Sequence, residues 1–497
     1  MFSSIGLALI HLTQISLHAG RAGKNLTVLD ILAENGVKQE FGNLSDVLAA
    51  QPFPLPLDET RAEAWLSDPA AHAGEIIETA LGRRTPTSSS GGWEAQTWKA
   101  ESEFSLRAAR PQGSFFEAEF LVAVTSRSAI DNLKATRRAR LEAALDIAAG
   151  NLPLSRFPVL LDRAAGGGNP PEPPSVEGLE IDPGPGRAHL ARALVTEERL
   201  LPVSAIPSME RALQVKLLTP RNLTPTLLRR VLGLEESPDP VPEGVYLIRD
   251  DPGLGGVYVQ GDLRELVLGV EEDAQVLCFR GVGSEWTLKF SPRRNRTELT
   301  GPEGREVFNT LPQAVVIVDG GIEALGGGRP DGSGGLRLCS DEEIPSILKG
   351  VKLTIVSTGP VTIASHLIHQ GVTWERGIPS IKENGSELVI FSGGTGLSAP
   401  GGPEGGLFVG GDAPQELKIQ AELVSTGAGF ALKGPARTVY LLGALQASEI
   451  RLGAGRLKVH LDPGPADGDD SAASELRTAR PVLLVLSLKP RAWSEDE

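Results

Sequence analysis

The residues that could do chemistry in this chain fall into a few charged clusters. The densest is LKFSPRRNRTE, which carries Lys289, Arg293, Arg294 and Arg296. Cations packed this closely can track phosphates, which supply most sequence-independent affinity for nucleic acid. Ser291, Asn295 and the nearby main-chain amides would add neutral phosphate contacts. Arg280 and Trp286 lie close in the chain, and an aromatic ring beside cations suits stacking on single strands. The plainer reading is a solvated basic loop on an acidic protein. A second cluster, Lys134, Arg137, Arg138 and Arg140, opens a segment that then turns apolar at Leu141, Ala144, Leu145 and Ile147. Here too a solvated charged face is the plainer reading. Lys349, Lys352 and Arg376 would extend a basic stripe only if strand register puts them on one face.

Other chemistries find less support. His366 and His369 in SHLIHQ have the spacing of a metal pair, but no cysteine or third histidine lies close, and the intervening Leu and Ile fit a strand end. No metal and no cofactor are expected. Candidate acid–base carboxylates, Asp250, Asp251, Asp262, Asp319 and Asp412, sit mostly at glycine-flanked corners, where Asp ordinarily makes turns. Serine-hydrolase, P-loop and zinc-protease motifs do not occur, and the expectation is a protein that is not an enzyme. Cys278 and Cys339 could form one disulfide or remain buried thiols, and the sequence leaves both open. The net charge of -15 weighs against a general nucleic-acid-binding surface, so any such role needs a local basic patch. Two methionines beside abundant Pro, Arg and Leu suit a thermophile.

The elements that must position these residues are short strands. VKLTIVSTGPVTIAS (351–365) holds two apolar, β-branched runs on either side of a Gly-Pro corner, and the same event recurs from Gly244 to about Leu461. GGVYVQGD, QAVVIVDGG, ELVIFSGG, GLFVGGD, ELKIQAELVS, TVYLLGALQAS and RLKVHLDP each place a few strand formers before a turn. Paired hairpin signals are scarce, so the expected solution is stacking. Each run lies on the previous one about 4.8 Å away, and the inward side chains form apolar columns. That describes a right-handed parallel β-solenoid over residues 244–462. No GGxGxD calcium repeat is present.

The rest of the chain reads as α+β. Apolar residues at Ile5, Leu9, Leu12, Ile15, Ala19, Leu26 and Leu29 predict an amphipathic helix over 2–36, roughly 50 Å long, stopped by Asn35-Gly36. His11, Gln14 and His18 interrupt its first part too often for a membrane span. No basic region precedes it and no cleavage site follows it. A more apolar leader, not included in this sequence, is therefore expected to provide any membrane contact. Asp58 opens a second helix, with a further helical turn at 76–81. TSSSGG (87–92) reads as a linker, and alternating apolar residues over 93–124 predict a hairpin about Pro111-Gln112-Gly113. Residues 132–150 read as a basic-then-apolar helix, 157–161 as a strand and 164–175 as a flexible joint closing a domain over 1–175. Residues 176–243 form an irregular connection with short helices near 197–201 and 224–234. An acidic linker (462–470) precedes RPVLLVLSLK, an apolar strand within 478–492 that must find a sheet. The economical topology inserts the solenoid between the last two strands of an N-terminal domain.

A long N-terminal helix, an antiparallel sheet over its C-terminal half and a large insertion together resemble a type IV minor pilin. PEGVYLIRDDPGLGGVYVQGD, LRELVLGV, FNTLPQAVVIVDGGIEAL and KGVKLTIVSTGPVTI are similar to the β-solenoid region of the large PilX-like minor pilins, including those associated with competence in thermophiles. The match covers about half of the chain and consists of fold-forming residues, while the pilin processing site and the wholly apolar first helical turns are missing. The resemblance implies a cell-surface protein at a pilus tip, membrane-anchored before assembly, with other minor and major pilins as partners through the N-terminal helix. It implies capture of extracellular DNA without sequence specificity for natural transformation. The alternatives are an adhesin or polysaccharide-binding solenoid and a purely structural tip subunit.

Overall fold

In the computed structural model the chain forms two units. One comprises Met1–Gly150, Pro185–His189 and Pro481–Glu497, the other Asn151–Gly184 and Leu190–Arg480. The described residues are 2–51, 53–82, 87–91, 96–130, 135–162, 176–185, 187–196, 200–201, 206–216, 223–249, 253–281, 284–332, 334–340, 342–381, 385–393, 405–461 and 476–496. With 52% strand and 17% helix the class is α+β, and sheets carry the architecture. The expected joint at 164–175, the acidic linker at 462–470, Lys134, Asp250 and Asp251 lie outside the described residues.

The first unit is built on helix α1 (Phe2–Ala50), 49 residues long. It buries Leu29, Ala33, Val37, Glu40, Leu44 and Leu48, steps of three and four that keep one side of a 3.6-residue helix against a neighbour. The neighbour is an antiparallel sheet of β1 (Leu55–Pro56), β2 (Thr87–Gly91), β3 (Gln96–Gln112), β4 (Phe115–Ile130), β5 (Ala135–Gly150) and a closing strand, Val482–Asp496. They run in the order β1, closing strand, β5, β4, β3, β2. Ser128 on β4 donates its hydroxyl to the Leu29 carbonyl at 2.7 Å, and Ser102 on β3 donates to Glu40 at 2.6 Å. A short helix, α2 (Glu59–Ser67), starts where Asp58 accepts a hydrogen bond from the Arg61 amide at 2.8 Å, as an N-cap should.

Three expectations for this unit fail. The helix does not stop at Asn35-Gly36 but runs to Ala50, and Leu26 is exposed. Gly36 is where the helix touches the sheet: a Cβ there would sit 2.2 Å from Ser126 Oγ and 2.9 Å from the Trp98 ring. The glycine serves close approach, not termination. Residues 135–150 form a central strand, not a helix. β4 pairs with one edge of β5 and the closing strand with the other, and the buried residues Ala139, Leu141, Ala143, Leu145, Ile147 and Ala149 recur every second position. Good helix formers lose here to tertiary pairing. The supposed linker at 87–91 is edge strand β2, in register with β3 from Thr87–Ala100 to Gly91–Gln96. The hairpin is as expected, its turn one step later at Gly113 and Ser114. The closing strand joins β5 rather than the hairpin, so residues 151–480 are a single excursion between the last two strands of the sheet.

In the second unit the chain passes alternately through two sheets. The first sheet stacks Leu254–Gln260, Val315–Asp319, Lys352–Ser357, Glu387–Ser392, Glu416–Ser425, Thr438–Ala447, Arg456–His460 and Leu179–Asp182 in parallel. The second stacks Leu263–Glu271, Ile322–Pro330, Val361–Ile363, Leu407–Val409, Phe430–Leu432 and Ile450–Arg451, also in parallel. Register aligns side chains into columns: Val257, Val316, Ile355, Ile390, Leu423, Leu445 and Val159 on one wall, and Leu263, Ile322, Val361, Leu407, Phe430 and Ile450 on the other. Both belong to one buried apolar cluster, and burial of each such side chain stabilises by about 1.5–3 kcal/mol. At the corner, Ser357 and Ser392 stack in register. Ser357 Oγ donates to Gly320 O at 2.7 Å and Ser392 Oγ to Gly359 O at 2.9 Å. The Gly320 carbonyl also accepts from the Gly359 amide at 2.9 Å, so the hydroxyls add bonds across the corner.

The expected stacking over 244–462 is interrupted by antiparallel segments, among them the hairpin of Val372–Glu375 and Ile378–Ile381. Residues 263–308 form an antiparallel meander, Leu263–Glu271, Ala274–Gly281, Glu285–Ser291, Arg296–Gly301 and Gly304–Phe308, that extends the second sheet sideways. Gly244–Arg249 is likewise antiparallel to Leu254–Gln260. The region read as an irregular connection supplies strands: Leu179–Asp182 caps the first sheet, and Leu194–Thr196 pairs with Val159–Asp162. Its helices are Ile206–Leu213 and Pro225–Val231, the latter where expected. Of the predicted helix at 197–201, residues 197–199 lie outside the described residues and 200–201 are not helical.

Two glycines of α1, Gly36 and Gly42, give opposite expectations. Gly36→Ala should destabilise the protein by about 1–3 kcal/mol through overpacking. At Gly42 an added Cβ meets nothing within 4 Å, so Gly42→Ala should stabilise by about 0.5–1 kcal/mol. Urea titrations of the two variants check the pair, and equal signs would contradict the packing of α1 on β3 and β4.

Candidate functional site

The basic cluster lies at the turn between meander strands Glu285–Ser291 and Arg296–Gly301. Asn295 takes the left-handed conformation there, at φ 48°, which Asn tolerates better than most residues. The structure brings Lys289, Arg293, Arg294 and Arg296 together, but with partners. Lys289 Nζ is 2.6 Å from Glu271, Arg294 is 3.2 Å from Asp273 and 3.4 Å from Glu272, and Arg296 is 2.8 Å from Glu298, which also holds Arg305. Arg293 is exposed and has no ion pair among the described residues. The neutral groups expected to meet phosphate are engaged. Ser291 is buried and accepts from the Arg294 amide at 3.3 Å, and Asn295 donates to the Asn309 carbonyl at 3.3 Å.

Trp286 and Arg280 do not join this cluster. Strand alternation sends Trp286, Leu288 and Phe290 toward the apolar core and Lys289 to the opposite face. The Trp286 ring also lies on Gly301, where a Cβ would be 2.1 Å from it. The residue is packing, not a free stacking surface. The Arg280 side chain, 14% exposed, sits 2.7 Å from Glu265 and 2.9 Å from Glu285 and donates to the Leu336 carbonyl. Burial opposes its charge, but hydrogen bonds to the two carboxylates outweigh that and raise its pKa.

The second cluster is divided between the faces of β5. Arg137 points to the helix side and pairs with Asp30 of α1 at 3.2 Å, while Arg140 pairs with Glu142 at 2.9 Å on the other side and Arg138 is exposed. Lys349, Lys352 and Arg376 belong to a turn, a strand of the first sheet and the tip of the hairpin formed by Val372–Glu375 and Ile378–Ile381. Cys278 and Cys339 are separate buried thiols, which settles the open disulfide. Burial pushes the Cys278 thiol up despite the Leu336 amide donating to its sulfur at 3.1 Å.

The described candidate aspartates tie neighbouring passes of the chain together or face solvent. Asp262 accepts the Gly321 amide at 2.7 Å, and buried Asp319 accepts from Thr358 Oγ1 and Tyr258 Oη, both at 3.2 Å. Asp412 is exposed at a glycine corner. His366 is buried and its Nδ1 accepts from the Lys418 amide at 3.1 Å. Burial lowers the pKa of His369 to about 3, against which the Gln420 hydrogen bond has little effect. Among the described residues no group of three or more His, Cys, Asp or Glu is placed to hold a metal, and no helix is long and apolar enough to cross a membrane.

One cluster escaped the sequence reading. Parallel register sets Lys418, Tyr440, Lys458 and Glu180 side by side on adjacent strands, with His460 and Asp182 in the next row. Trp374, from the hairpin, lies 6.3 Å from Tyr440 and 6.4 Å from His460 between ring centroids. The available signal was parity: Tyr440, Lys458 and His460 alternate with core residues Val439, Leu441, Leu457 and Val459, so they had to face outward.

His369 makes a pH test possible. Its folded pKa lies below the value of about 6.5 in an unfolded chain, so unfolding takes up a proton below that pH. The stability contributed by the neutral imidazole is present above about pH 6.5 and is lost as pH falls toward 3, by up to about 1.4 kcal/mol per unit. Replacing His369→Leu should flatten the pH dependence of the unfolding free energy between pH 6.5 and 4, measured by urea titration against the parent protein. An unchanged slope would contradict the burial of that ring. Comparison of the chain with family models, with curated proteins and with solved structures returns no match in any of the three.

Proposed function

We propose that this chain is a minor-pilin-like subunit of a type IV pilus, not an enzyme, displayed at the cell surface and carrying a β-solenoid inserted between the last two strands of a pilin-like domain. The observation that carries this reading is the topology of the first unit. A 49-residue helix lies on an antiparallel sheet that is completed by the end of the chain, after an excursion of residues 151–480. The columns of aliphatic side chains in the second unit support the solenoid, and parallel crossovers of this kind are right-handed as a rule. The N-terminal part of α1 is the segment through which such a subunit meets other pilins and, before assembly, the membrane.

Extracellular DNA, bound without sequence specificity for uptake, is the ligand in this reading, and the turn at 291–296 is its contact. Arg293 is available at once. Arg294, Arg296 and Lys289 can exchange carboxylates for phosphates at little cost, because exposed ion pairs contribute only about 0–1 kcal/mol each. The interleaved Glu271, Glu272, Asp273 and Glu298 favour a second reading, a structural tip subunit with no nucleic-acid ligand. That subunit would copurify with other pilins and leave DNA unbound.

Fluorescence anisotropy with duplex DNA of arbitrary sequence separates the two. Three to four phosphate contacts weaken binding by about 40- to 150-fold between 50 and 200 mM salt. Arg293→Glu combined with Arg294→Glu should remove most of the affinity, and unchanged binding in that double variant would overturn the site.

A further inference from the structure

Of the six Trp and three Tyr in the chain, Trp374 and Tyr440 converge on the outer face of the parallel sheet. Both are part-exposed. They meet at 55° with centroids 6.3 Å apart, and His460 closes the third side, edge-on to Trp374. Polar pairs frame the rings: the ion pairs Lys458 to Glu180 at 2.8 Å and Lys418, itself almost fully buried, to Glu343, and the contact of His460 Nδ1 with Asp182 at 3.5 Å. Indole Nε1 of Trp374 and imidazole Nε2 of His460 are shielded and have no hydrogen-bond partner. Two neighbouring polar atoms left unsatisfied call for an explanation.

We infer that this cluster is a binding site for a neutral oligosaccharide of hexopyranose units. A sugar ring presents an apolar C–H face to an aromatic ring and hydroxyls at its rim. With Trp374 wedged away from Tyr440, which uncovers the two shielded nitrogens, the hydroxyls can accept from Trp374 Nε1, pair with His460 Nε2, and bridge the Lys458–Glu180 and His460–Asp182 pairs. The matched charges select for a ligand without net charge. A polyanion would face Glu180, Asp182 and Glu343 beside every cation it approached. The hairpin that carries Trp374 is a two-stranded ribbon, marginal without support. It rests on the sheet with Gly377 against the Tyr440 ring, where a Cβ would lie 2.0 Å from Cε1. A ligand that wedges Trp374 away from Tyr440 therefore disturbs little else. This site is separate from the turn at 291–296 and does not depend on the filament reading.

Calorimetric titration of the full chain with cellohexaose, maltohexaose and chitohexaose tests the assignment. Saturable binding to at least one is expected, weakened tenfold or more by Trp374→Ala and by Tyr440→Ala, retained within about threefold in Trp374→Phe, and unchanged by Arg293→Glu with Arg294→Glu. Glu180→Gln, an exposed change that leaves the aromatic packing in place, should weaken binding threefold or more. No saturable binding to any of the three sugars overturns the proposal, as does binding indifferent to both Trp374→Ala and Glu180→Gln. Binding of single-stranded oligothymidylate at Trp374 in place of the sugars would also overturn it and assign the cluster to nucleic acid.

Discussion

The pairing of the last strand with β5 is the constraint on which the architecture of this chain depends. Val482 sits opposite Gly150, and the ladder continues to Asp496 opposite Arg138. β5 is thereby buried between two antiparallel neighbours, and the ends of a very long excursion are held together. Loop-closure entropy rises only slowly with length, so the cost of so large an insertion is modest provided that the inserted chain folds on itself. Residues 151–480 do so: Leu152 donates to Thr478 Oγ1 at 3.1 Å and Asn151 to the Thr478 carbonyl at 3.0 Å, which closes the excursion at its own base.

Stacking gives the excursion its stability. A parallel strand on a parallel strand repeats the same environment at the same offset, so Val, Ile and Leu recur in columns without any sequence motif beyond apolar parity. Where the column reaches a corner, the requirement changes from packing to hydrogen bonding, and serine replaces valine: Val259 and Val318 give way in register to Ser357 and Ser392. The same regularity makes outward residues line up, which is how Lys418, Tyr440 and Lys458 come to share one row. The meander at 263–308 departs from this rule because hairpins can extend a sheet sideways at its end, where no further pass competes for the edge.

How far the fold was legible follows from which signals were local. The parallel strands, the hairpin, the N-cap at Asp58 and the return strand each rest on parity, turn residues or capping, and all appear where those signals lie. β5 was illegible because Ala, Leu, Arg and Glu favour a helix in isolation while the two-residue spacing of Leu141, Leu145 and Ile147 is weak in a run of alanines. Gly36 was read as a stop because sequence cannot tell a glycine that frees the backbone from one that admits a neighbour. The meander was missed because its turns, Glu272-Asp273 and the segment 291–296, lack the Asn-Gly or Asp-Gly pairs that advertise hairpins. In the candidate site, chain proximity correctly gathered the four cations but said nothing of the carboxylates that register would bring to them. It also grouped Trp286 with Lys289 although their odd separation puts them on opposite faces.

The central claim is that the first unit is a helix-on-sheet domain that folds without residues 151–480, of which Pro185–His189 alone is grouped with it. Because Val482 and Gly150 are direct partners, a short Gly-Ser turn can join them with residues 151–481 removed. The shortened chain should show a single cooperative urea transition and slow amide exchange in β4, β5 and the closing strand, as measured by NMR. A chain without a cooperative transition, or one in which the closing strand exchanges as fast as an unfolded peptide, would contradict the account.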